Sequence, residues 1–253
     1  MLLCVFLLSP YLPGTNDVSI TVLDVGQGLC AVVASGDKTV LVDCGSNSGE
    51  NAGEIAHEFL TNRGRTSVDL IVLTHFHADH VNGVEFILSR MHVAALAIPD
   101  PEGAFLADSI ISLARKRGTE IIYVMDPVSV TLDDVEIVLF PPYSRGDENE
   151  RCLAVLCRGA INALITGDMN AAGERSLLRN ADLPALDLLI VGHHGSRHST
   201  SAELLSALTP ALAVVPVGYN SYGHPANETL ERLEQFAVPV YRTDEAGHVT
   251  ITR

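Results

Sequence analysis

Apolar strand runs alternate with helical patterns along most of this chain, and this alternation restricts the folds open to it. Eleven runs rich in Val, Ile and Leu, bounded by Gly, Pro or Asp, have the composition of strands. They cover residues 18–25, 38–45, 68–75, 93–100, 119–126, 134–142, 152–157, 161–168, 186–194, 211–218 and 238–244. Segments with helical spacing lie between several of them, at 49–64, 105–118, 171–180, 201–210 and 225–236. No repeat or linker interrupts the pattern, so the sequence predicts one layered α/β domain.

The composition limits how the chain can bind a charged partner. With 253 residues, 47% hydrophobic and 19% charged, it can bury a substantial core. Its net charge of −15 argues against coating nucleic acid through general surface charge, because that mode needs clustered Lys and Arg. A phosphate-bearing partner must therefore be bound locally, and metal dications in a cleft supply local positive charge. The five cysteines include no CxxC pair, so we interpret them as small core residues.

Residues capable of chemistry follow the ends of several predicted strands. They are Asp24, Asp43, His75, Asp168, His193 and His194. Ligand sites in α/β sheets lie at such strand ends, because the loops there diverge and leave a crevice. We therefore expect one shared site.

The segment LTHFHADH (73–80) predicts a metal site. In an extended segment, His75 and His77 point to the same side, so two imidazole nitrogens converge on one point. Asp79 and His80 follow where the chain turns and are expected to face a second point nearby. The arrangement predicts two divalent metal ions, and His and carboxylate ligands without thiolate suit Zn²⁺ or Mn²⁺.

The segment HFHADH also matches the HxHxDH motif of the metallo-β-lactamase fold. With VLDVGQGLCAVV, TVLVDCG, LITGDMN, LLIVGHHGSRHSTS and VGYNSYGHPANETLERL, it resembles the C-terminal metallo-β-lactamase-like domain of ComEC-type DNA-internalisation competence proteins. The resemblance departs from the usual pattern at Leu29, where the family usually carries Asp, and at DCG (43–45), which replaces the commoner DGG. It implies an α/β fold, a four-layer αββα sandwich over residues 17–253, with metals at one edge.

The same resemblance implies the remaining metal ligands. The chain has no histidine between His92 and His193, so the third imidazole of the first zinc site in β-lactamases has no candidate there. Asp168 lies in that stretch, and the phosphodiesterase branches of the fold use an aspartate to bridge the metals; the alternative is a cap for the helix that begins near Ala171. The ligands implied by the resemblance are His75, His77, Asp79, His80, Asp168 and His194.

His193 and His194 need separate roles if they lie on a strand, because strand neighbours point to opposite faces and only one would bind metal. By resemblance to related phosphodiesterases, His194 is the expected ligand and His193 a substrate or leaving-group contact; the reverse assignment stays open.

Further residues are expected around the ligands. His224 precedes Pro225, where a helix is expected to start, and is predicted either to act on the reacting phosphate or to cap that helix. Asp43 is expected to hold a ligand imidazole or the loop in place. Gln27 and Ser196 are predicted to contact substrate, and Asp79 also to act in catalysis. Four other histidines are interpreted as surface or packing residues: His57, His92, His198 and His248.

These features predict a metal-dependent phosphodiesterase, in which bound cations lower the pKa of a water and a histidine assists the departing oxygen. The competence resemblance implies a nuclease that degrades one DNA strand during uptake, with single-stranded DNA as its partner. Two alternatives stay open. One is hydrolysis of a small phosphodiester, such as a phosphorylcholine ester, and the other is a non-catalytic, metal-stabilised module that guides DNA.

The amino-terminal run MLLCVFLLSPYLPG is apolar but shorter than the about 20 residues that a bilayer span needs. It is either the end of a longer membrane helix or a peripheral segment docked on the domain. Because ComEC-type proteins carry this domain after a multi-helix membrane channel, we expect residues 1–16 to be the exit of the last span. The full-length protein would then be membrane-associated, with the extracytoplasmic face as one option, and the sequence indicates no stable protein partner.

Overall fold

Two seven-stranded mixed sheets face each other in the computed structural model, which describes residues 18–144, 149 and 151–253. The first sheet contains, in spatial order, β14 (Val249–Thr252), β1 (Ser19–Val22), β2 (Ala31–Ser35), β3 (Lys38–Val42), β4 (Ser67–Val72), β5 (His92–Ile98) and β6 (Glu120–Tyr123). The second contains β13 (Val240–Arg242), β12 (Ala213–Val215), β11 (Leu188–Ile190), β10 (Ala163–Ile165), β9 (Ala154–Arg158), β8 (Val135–Phe140) and β7 (Val128–Leu132).

Helices cover the outer faces of both sheets. Those that follow strands of the first sheet are α1 (Ala52–Asn62), α2 (Ala78–Val81), α3 (Val84–Arg90) and α4 (Ala107–Arg117). Those that follow strands of the second are α5 (Ala171–Asn180), α6 (Ala202–Leu208), α7 (Asn227–Gln235) and α8 (Thr243–Ala246). Polar side chains begin several of them: Asn51 accepts from the backbone N–H groups at the start of α1, and Ser201 does the same for α6.

Three apolar layers hold the elements together. Along β4, Leu70 and Val72 pack into the layer between the sheets, while Ile71 packs against α1, α3 and α4. Along β10, Ile165 faces the other sheet and Leu164 faces α5, α6 and α7. This alternation follows the two-residue period of a strand. Because both faces of each central strand are buried, these strands appear in the sequence as continuous apolar runs. The predicted four-layer αββα sandwich is confirmed.

Each of the eleven predicted strand runs contains an observed strand, but three strands were not predicted: β2, β7 and β14. β7 and β14 lie at sheet edges, where one face contacts solvent and polar residues alternate with apolar ones. β2 is as long as β3 and pairs with it through a tight turn, in which Gly36 adopts a positive φ. The five predicted helices are present, and the short α2, α3 and α8 were not predicted.

The strand directions determine where the site lies. β3 and β4 are parallel in the first sheet, and β10, β11 and β12 are parallel in the second. Parallel neighbours end at the same edge of a sheet, so the loops after these strands meet at one end of the sandwich. Those loops carry Asp43, His75, Asp168, His193 and His194.

Cys30, Cys44, Cys152 and Cys157 are buried, which confirms the core interpretation for these four cysteines. Within the ranges the structure describes, no helix has the length and apolar character needed to cross a bilayer. The apolar leader predicted at 1–16 lies outside the described residues, as does Cys4, so its membrane role stays a prediction.

Candidate metal centre

The carboxylate of Asp168 lies at the centre of a cluster of histidines. Its Oδ1 atom is 2.9 Å from Nε2 of His80 and 3.7 Å from Nε2 of His194. Its Oδ2 atom is 3.8 Å from Nε2 of His75 and 3.4 Å from Nε2 of His193. Each oxygen of this buried carboxylate therefore faces its own pair of imidazoles.

The alternative role of Asp168 as a helix cap is wrong. The residue at the N-cap of α5 is Asn170, whose side chain accepts from the N–H groups of Ala172 and Gly173. Asp168 instead ends the TGD turn after β10 and directs its side chain to the histidines.

The HFHADH segment contributes residues to two overlapping clusters of possible metal ligands. In each cluster the nitrogen and oxygen atoms lie within 4.8 Å of one another. The first cluster consists of His75, His80 and Asp168, and the second of Asp79, His80 and His194. Both clusters combine imidazole with carboxylate, which suits Zn²⁺ or Mn²⁺.

His77 belongs to neither cluster among the described residues, but it lies beside them. Its ring centroid is 4.5 Å from that of His75, and the two rings are nearly perpendicular. It also lines the same cavity as Asp79 and His194. The rings of His75 and His77 are therefore neighbours, and the convergence of their nitrogens on one metal ion stays a prediction.

Hydrogen bonds connect Asp43 to both histidines of the first cluster, directly to His80 and through Thr74 to His75. Its Oδ1 accepts from the backbone N–H of Thr74, and its Oδ2 accepts from Thr74 Oγ1 and His80 Nδ1, each at 2.7 Å. Because Thr74 Oγ1 gives its proton to Asp43, it is left to accept from His75 Nδ1, which is 3.1 Å away. Both imidazoles are thereby held with Nδ1 protonated and with an Nε2 lone pair facing Asp168. Thr74 was not predicted, although it directly precedes His75.

The nitrogen and oxygen atoms at the centre of the cluster are arranged as in a cation-binding site. Nε2 of His75, His80 and His194 and Oδ1 of Asp168 have no hydrogen-bond partner among the described residues. His194 Nδ1 donates to the carbonyl of Pro216 at 2.9 Å, so its Nε2 also presents a lone pair. Buried acceptors that face one another are unfavourable unless a positive charge lies between them. The residues present therefore fit divalent metal ions.

The pKa shifts of the residues in the cluster also favour metal binding. Burial lowers the pKa of His75, and neighbouring His80 lowers it further. Burial raises the pKa of Asp168, but the attraction of His80 and His194 outweighs it and holds this pKa well below its usual range. For Asp79, the effect of burial is likewise outweighed by the interactions with His194, whose Nε2 lies 3.6 Å from Oδ2, and with His80, and the pKa falls to about 2. Both carboxylates are therefore ionised at neutral pH, and His75 is neutral, as metal ligands must be.

His193 and His194 do not lie on a strand, so the prediction that they point to opposite faces is wrong. β11 ends at Ile190, and the two residues follow in a tight turn with φ values of 50° and 53°. Consecutive left-handed conformations at non-glycine residues are strained and need support from their surroundings. The N–H of His193 donates to the carbonyl of Gly167, and the N–H of Ser196 donates to the carbonyl of His193. This turn brings both imidazoles towards Asp168.

The two histidines still differ in their environment. His194 is buried, and Pro216 orients its ring. The side chain of His193 is 26% exposed, and its ring lies 5.5 Å from that of His224. Burial is the largest of the effects that lower the pKa of His193.

A cavity of about 320 Å³ opens beside the cluster. Its walls include Gln27, Asn47, His77, Ala78, Asp79, Asp168, His193, His194, Tyr222 and His224. Asn47 and Tyr222 were not predicted; the proximity of Tyr222 to His224 in NSYGHP was the available signal.

The predicted substrate residues are placed differently. Gln27 lines the cavity, and its Oε1 accepts from the N–H of Gly218 at 3.4 Å. Ser196 is not among the described residues that line the cavity, and its hydroxyl accepts from the N–H of His198 within its own loop. A substrate contact by Ser196 therefore stays a prediction without a supporting contact.

His224 lines the cavity and does not cap a helix. α7 begins at Asn227 with Ala226 at its N-cap, so the expected start at Pro225 and the capping alternative are both wrong. Burial lowers the pKa of His224 to about 4, with His193 as the next contribution, so the ring is neutral at pH 7.

The remaining candidates lie apart from the cluster. Asp24 accepts from the N–H of Gly26 and donates its own backbone N–H to His248, and it is not among the described residues that line the cavity. The expectation that Asp24 shares the site is therefore not met. His57 packs edge-on against Phe86, and His92 and His198 are exposed, in agreement with their interpretation as packing or surface residues.

We predict that Asp43→Asn weakens metal binding by about 10- to 100-fold. The amide keeps the size of the side chain and tolerates the left-handed backbone at this position, where φ is 57°. It offers one acceptor oxygen where Thr74 and His80 need two. Competitive titration of Zn²⁺ or Mn²⁺ against a chromophoric chelator measures the change. Asp24→Asn is the matched control, and equal affinity in both variants would contradict an orienting role for Asp43.

Comparisons with known proteins agree with this geometry. Residues 23–219 match the family profile described as the metallo-beta-lactamase superfamily. The chain is 29% identical to ComE operon protein 3 of Bacillus subtilis (strain 168) and 27% identical to competence protein ComA of Neisseria gonorrhoeae, over 96% and 92% of its length. The predicted similarity to ComEC-type competence proteins is thus confirmed. The chain spans about a third of the length of these relatives, 34% and 32% respectively.

The fold has close counterparts among solved structures. The crystal structure of the metallo-beta-lactamase fold protein YhfI from Bacillus subtilis aligns with a TM-score of 0.68 at 16% identity, covering 94% of this chain and all of that one. The fold implies divalent metal ions, in agreement with the His and Asp clusters at the sandwich edge. Because the family profile covers most of the sequence, this chain belongs to the metallo-beta-lactamase superfamily of hydrolases.

Proposed function

We propose that this chain is a metal-dependent phosphodiesterase that hydrolyses a single DNA strand. The observation that carries the proposal is the placement of Asp168, whose Oδ1 faces the proposed ligands His80 and His194 while its Oδ2 faces the proposed ligand His75. A carboxylate placed in this way suits a bridge between two cations, the arrangement used for phosphoryl chemistry.

The proposed ligands of two divalent ions, Zn²⁺ or Mn²⁺, are His75, His77, Asp79, His80, Asp168 and His194. When bound, such ions supply an activated water and offset charge on phosphate oxygens. Asp43 and Thr74 maintain the tautomers that direct Nε2 of His75 and His80 into the site. Asp79, which is also proposed to act in catalysis, is ionised at neutral pH.

The residues on the other side of the cavity are proposed to contact the substrate. The ring centroids of His193 and His224 lie 5.5 Å apart, with the rings nearly perpendicular. Burial lowers the pKa of both side chains. A neutral imidazole can donate an N–H to an oxygen on which negative charge develops, so this pair suits a hydrogen bond to the departing oxygen. Because Oε1 of Gln27 accepts from Gly218, its amide NH₂ group is left to donate to a substrate oxygen.

The similarity to competence proteins supports DNA as the substrate and uptake as the process. It also supports a place beside a membrane channel domain of the same or a longer protein, which we likewise propose. The alternative is a small phosphodiester, such as a phosphorylcholine ester. The cavity volume of about 320 Å³ favours that alternative, because it lies at the lower end of small-molecule pockets.

We predict turnover of a single-stranded oligodeoxynucleotide with either Mn²⁺ or Zn²⁺ and little turnover of glycerophosphocholine. Product analysis on a gel and release of choline or phosphocholine measure the two reactions, and a chelator should abolish any turnover. Raising the salt concentration should weaken DNA binding only modestly, because a chain of net charge −15 has few cationic side chains to displace counterions. Turnover of the choline ester alone would favour the alternative, and a chelator-resistant rate would exclude the proposed mechanism.

We predict that Asp168→Asn lowers the metal content below two ions per chain and abolishes hydrolysis, because an amide cannot supply two anionic oxygens. Elemental analysis of the purified variant and the DNA assay measure the two effects. Asp24→Asn is the control for loss of a strand-end carboxylate. Two tightly bound metals with a normal rate in Asp168→Asn would rule out a bridging role.

We predict that His193→Ala and His194→Ala separate binding from turnover. His194 is buried and oriented by Pro216, so its loss should reduce metal content. His193 is more exposed and lies beside His224, so its loss should leave the metals bound and slow turnover. Metal analysis of both variants under identical conditions is the measurement, and the opposite pattern would reverse the two assignments.

A further inference from the structure

The loop after β12 presents exposed aromatic rings beside the candidate metal centre. Tyr222 is 65% exposed although it lines the cavity, and its ring centroid lies 5.9 Å from that of His224 with a tilt of 34°. Tyr219 on the same loop is 97% exposed. Exposed large aromatic side chains at the mouth of a site are informative, because folding alone does not favour them.

The backbone that carries Tyr222 is held in place. The side-chain amide of Asn220 donates to the carbonyls of Gly218 and His224, both at 2.8 Å. Its oxygen accepts from the N–H groups of Tyr222 and His224, at 3.1 and 3.0 Å. These four hydrogen bonds hold the loop in one conformation while the ring of Tyr222 projects towards solvent. A ring on a fixed backbone loses little conformational freedom when it binds a partner.

The walls of the cavity offer few groups that could attract phosphates by charge. None of the described residues that line it is Lys or Arg. The nearby Arg197 is paired with Glu228 at 3.2 Å. With metal ions near the scissile phosphate only, a polymeric substrate must gain the rest of its affinity from other groups. Stacking of bases on aromatic rings provides such affinity without dependence on sequence, because every base has a π-face.

We propose that Tyr222 is a substrate-binding residue that stacks on a nucleobase next to the scissile phosphate. The inference rests on the proposed phosphodiesterase function and assigns a residue that would bind the bases of its single-stranded substrate. A base within a duplex is already stacked and paired, so only an unpaired strand can place a base on this ring without paying for its extrusion.

The test compares a mixed-sequence oligodeoxynucleotide with an abasic oligonucleotide of the same length, which has the same phosphates but no bases. Fluorescence anisotropy on the metal-loaded full chain measures binding, and the rates of cleavage are measured in parallel. Wild-type protein should bind the base-bearing strand about tenfold more tightly. Tyr222→Ala should lose this preference and bind the abasic strand as wild type does. Tyr222→Phe should retain the preference, because it keeps the ring.

Tyr123→Ala is the matched control, because Tyr123 is a half-exposed tyrosine on the edge strand β6, where it contacts Arg115. Equal binding of the two strands by wild-type protein would overturn the inference. If Tyr222→Ala weakened binding of both strands equally, the inference would also be overturned. That result would indicate a structural or protein-contact role for the ring. Base-dependent binding without cleavage of either strand would support the stacking role and refute the proposed phosphodiesterase activity, so the two failures are distinguishable.

Discussion

The Nε2 atoms of several buried imidazoles face one buried carboxylate, which is unfavourable unless a positive charge lies between them. The arrangement of residues at the edge of the sandwich depends on this constraint. Nε2 of His80 lies 2.9 Å from Oδ1 of Asp168, and the Nδ1 proton of the same ring is already used by Asp43. Burial lowers the pKa of His80, yet the attraction of Asp168 and Asp43 outweighs it and raises this pKa well above its usual range. A positive charge is therefore favoured between the two groups. A divalent ion supplies that charge more effectively than a proton, because it attracts several ligands at once.

The fold brings these groups together by ending strands of two different sheets at the same edge. The first sheet contributes Asp43 and the HFHADH segment, and the second contributes Asp168, His193 and His194. The apolar layer between the sheets maintains their separation, and fully buried residues such as Leu70 and Ile165 each contribute about 1.5–3 kcal/mol to its stability. A site divided in this way exists only when both sheets are packed together.

The loop that contains the strained turn at His193 and His194 is held by a further buried carboxylate. Glu174 on α5 accepts from the backbone N–H groups of Thr200 and Ser201, at the far end of the loop that begins with the turn. Burial raises the pKa of Glu174, although these hydrogen bonds oppose the shift. Arg232 on α7 donates to the carbonyls of Ser199 and Thr200. The loop is thus anchored by two helices, which explains how a conformation unfavourable for histidine persists.

The fold class and the residue types of the site could be predicted from the sequence. Apolar runs report burial on both faces of a strand, and the HFHADH segment places four potential ligands within six residues. Edge strands such as β7 and β14 escaped detection, because a half-exposed strand lacks a continuous apolar run. Other features of the site depend on contacts between residues that are distant in the chain. The contact of Asp43 with His80 joins residues 37 positions apart, the turn at His193 replaces a predicted strand end, and His193 approaches His224 from a different loop. These features depend on which strands become neighbours and on how loops are anchored, and neither property is encoded in the local pattern of one segment.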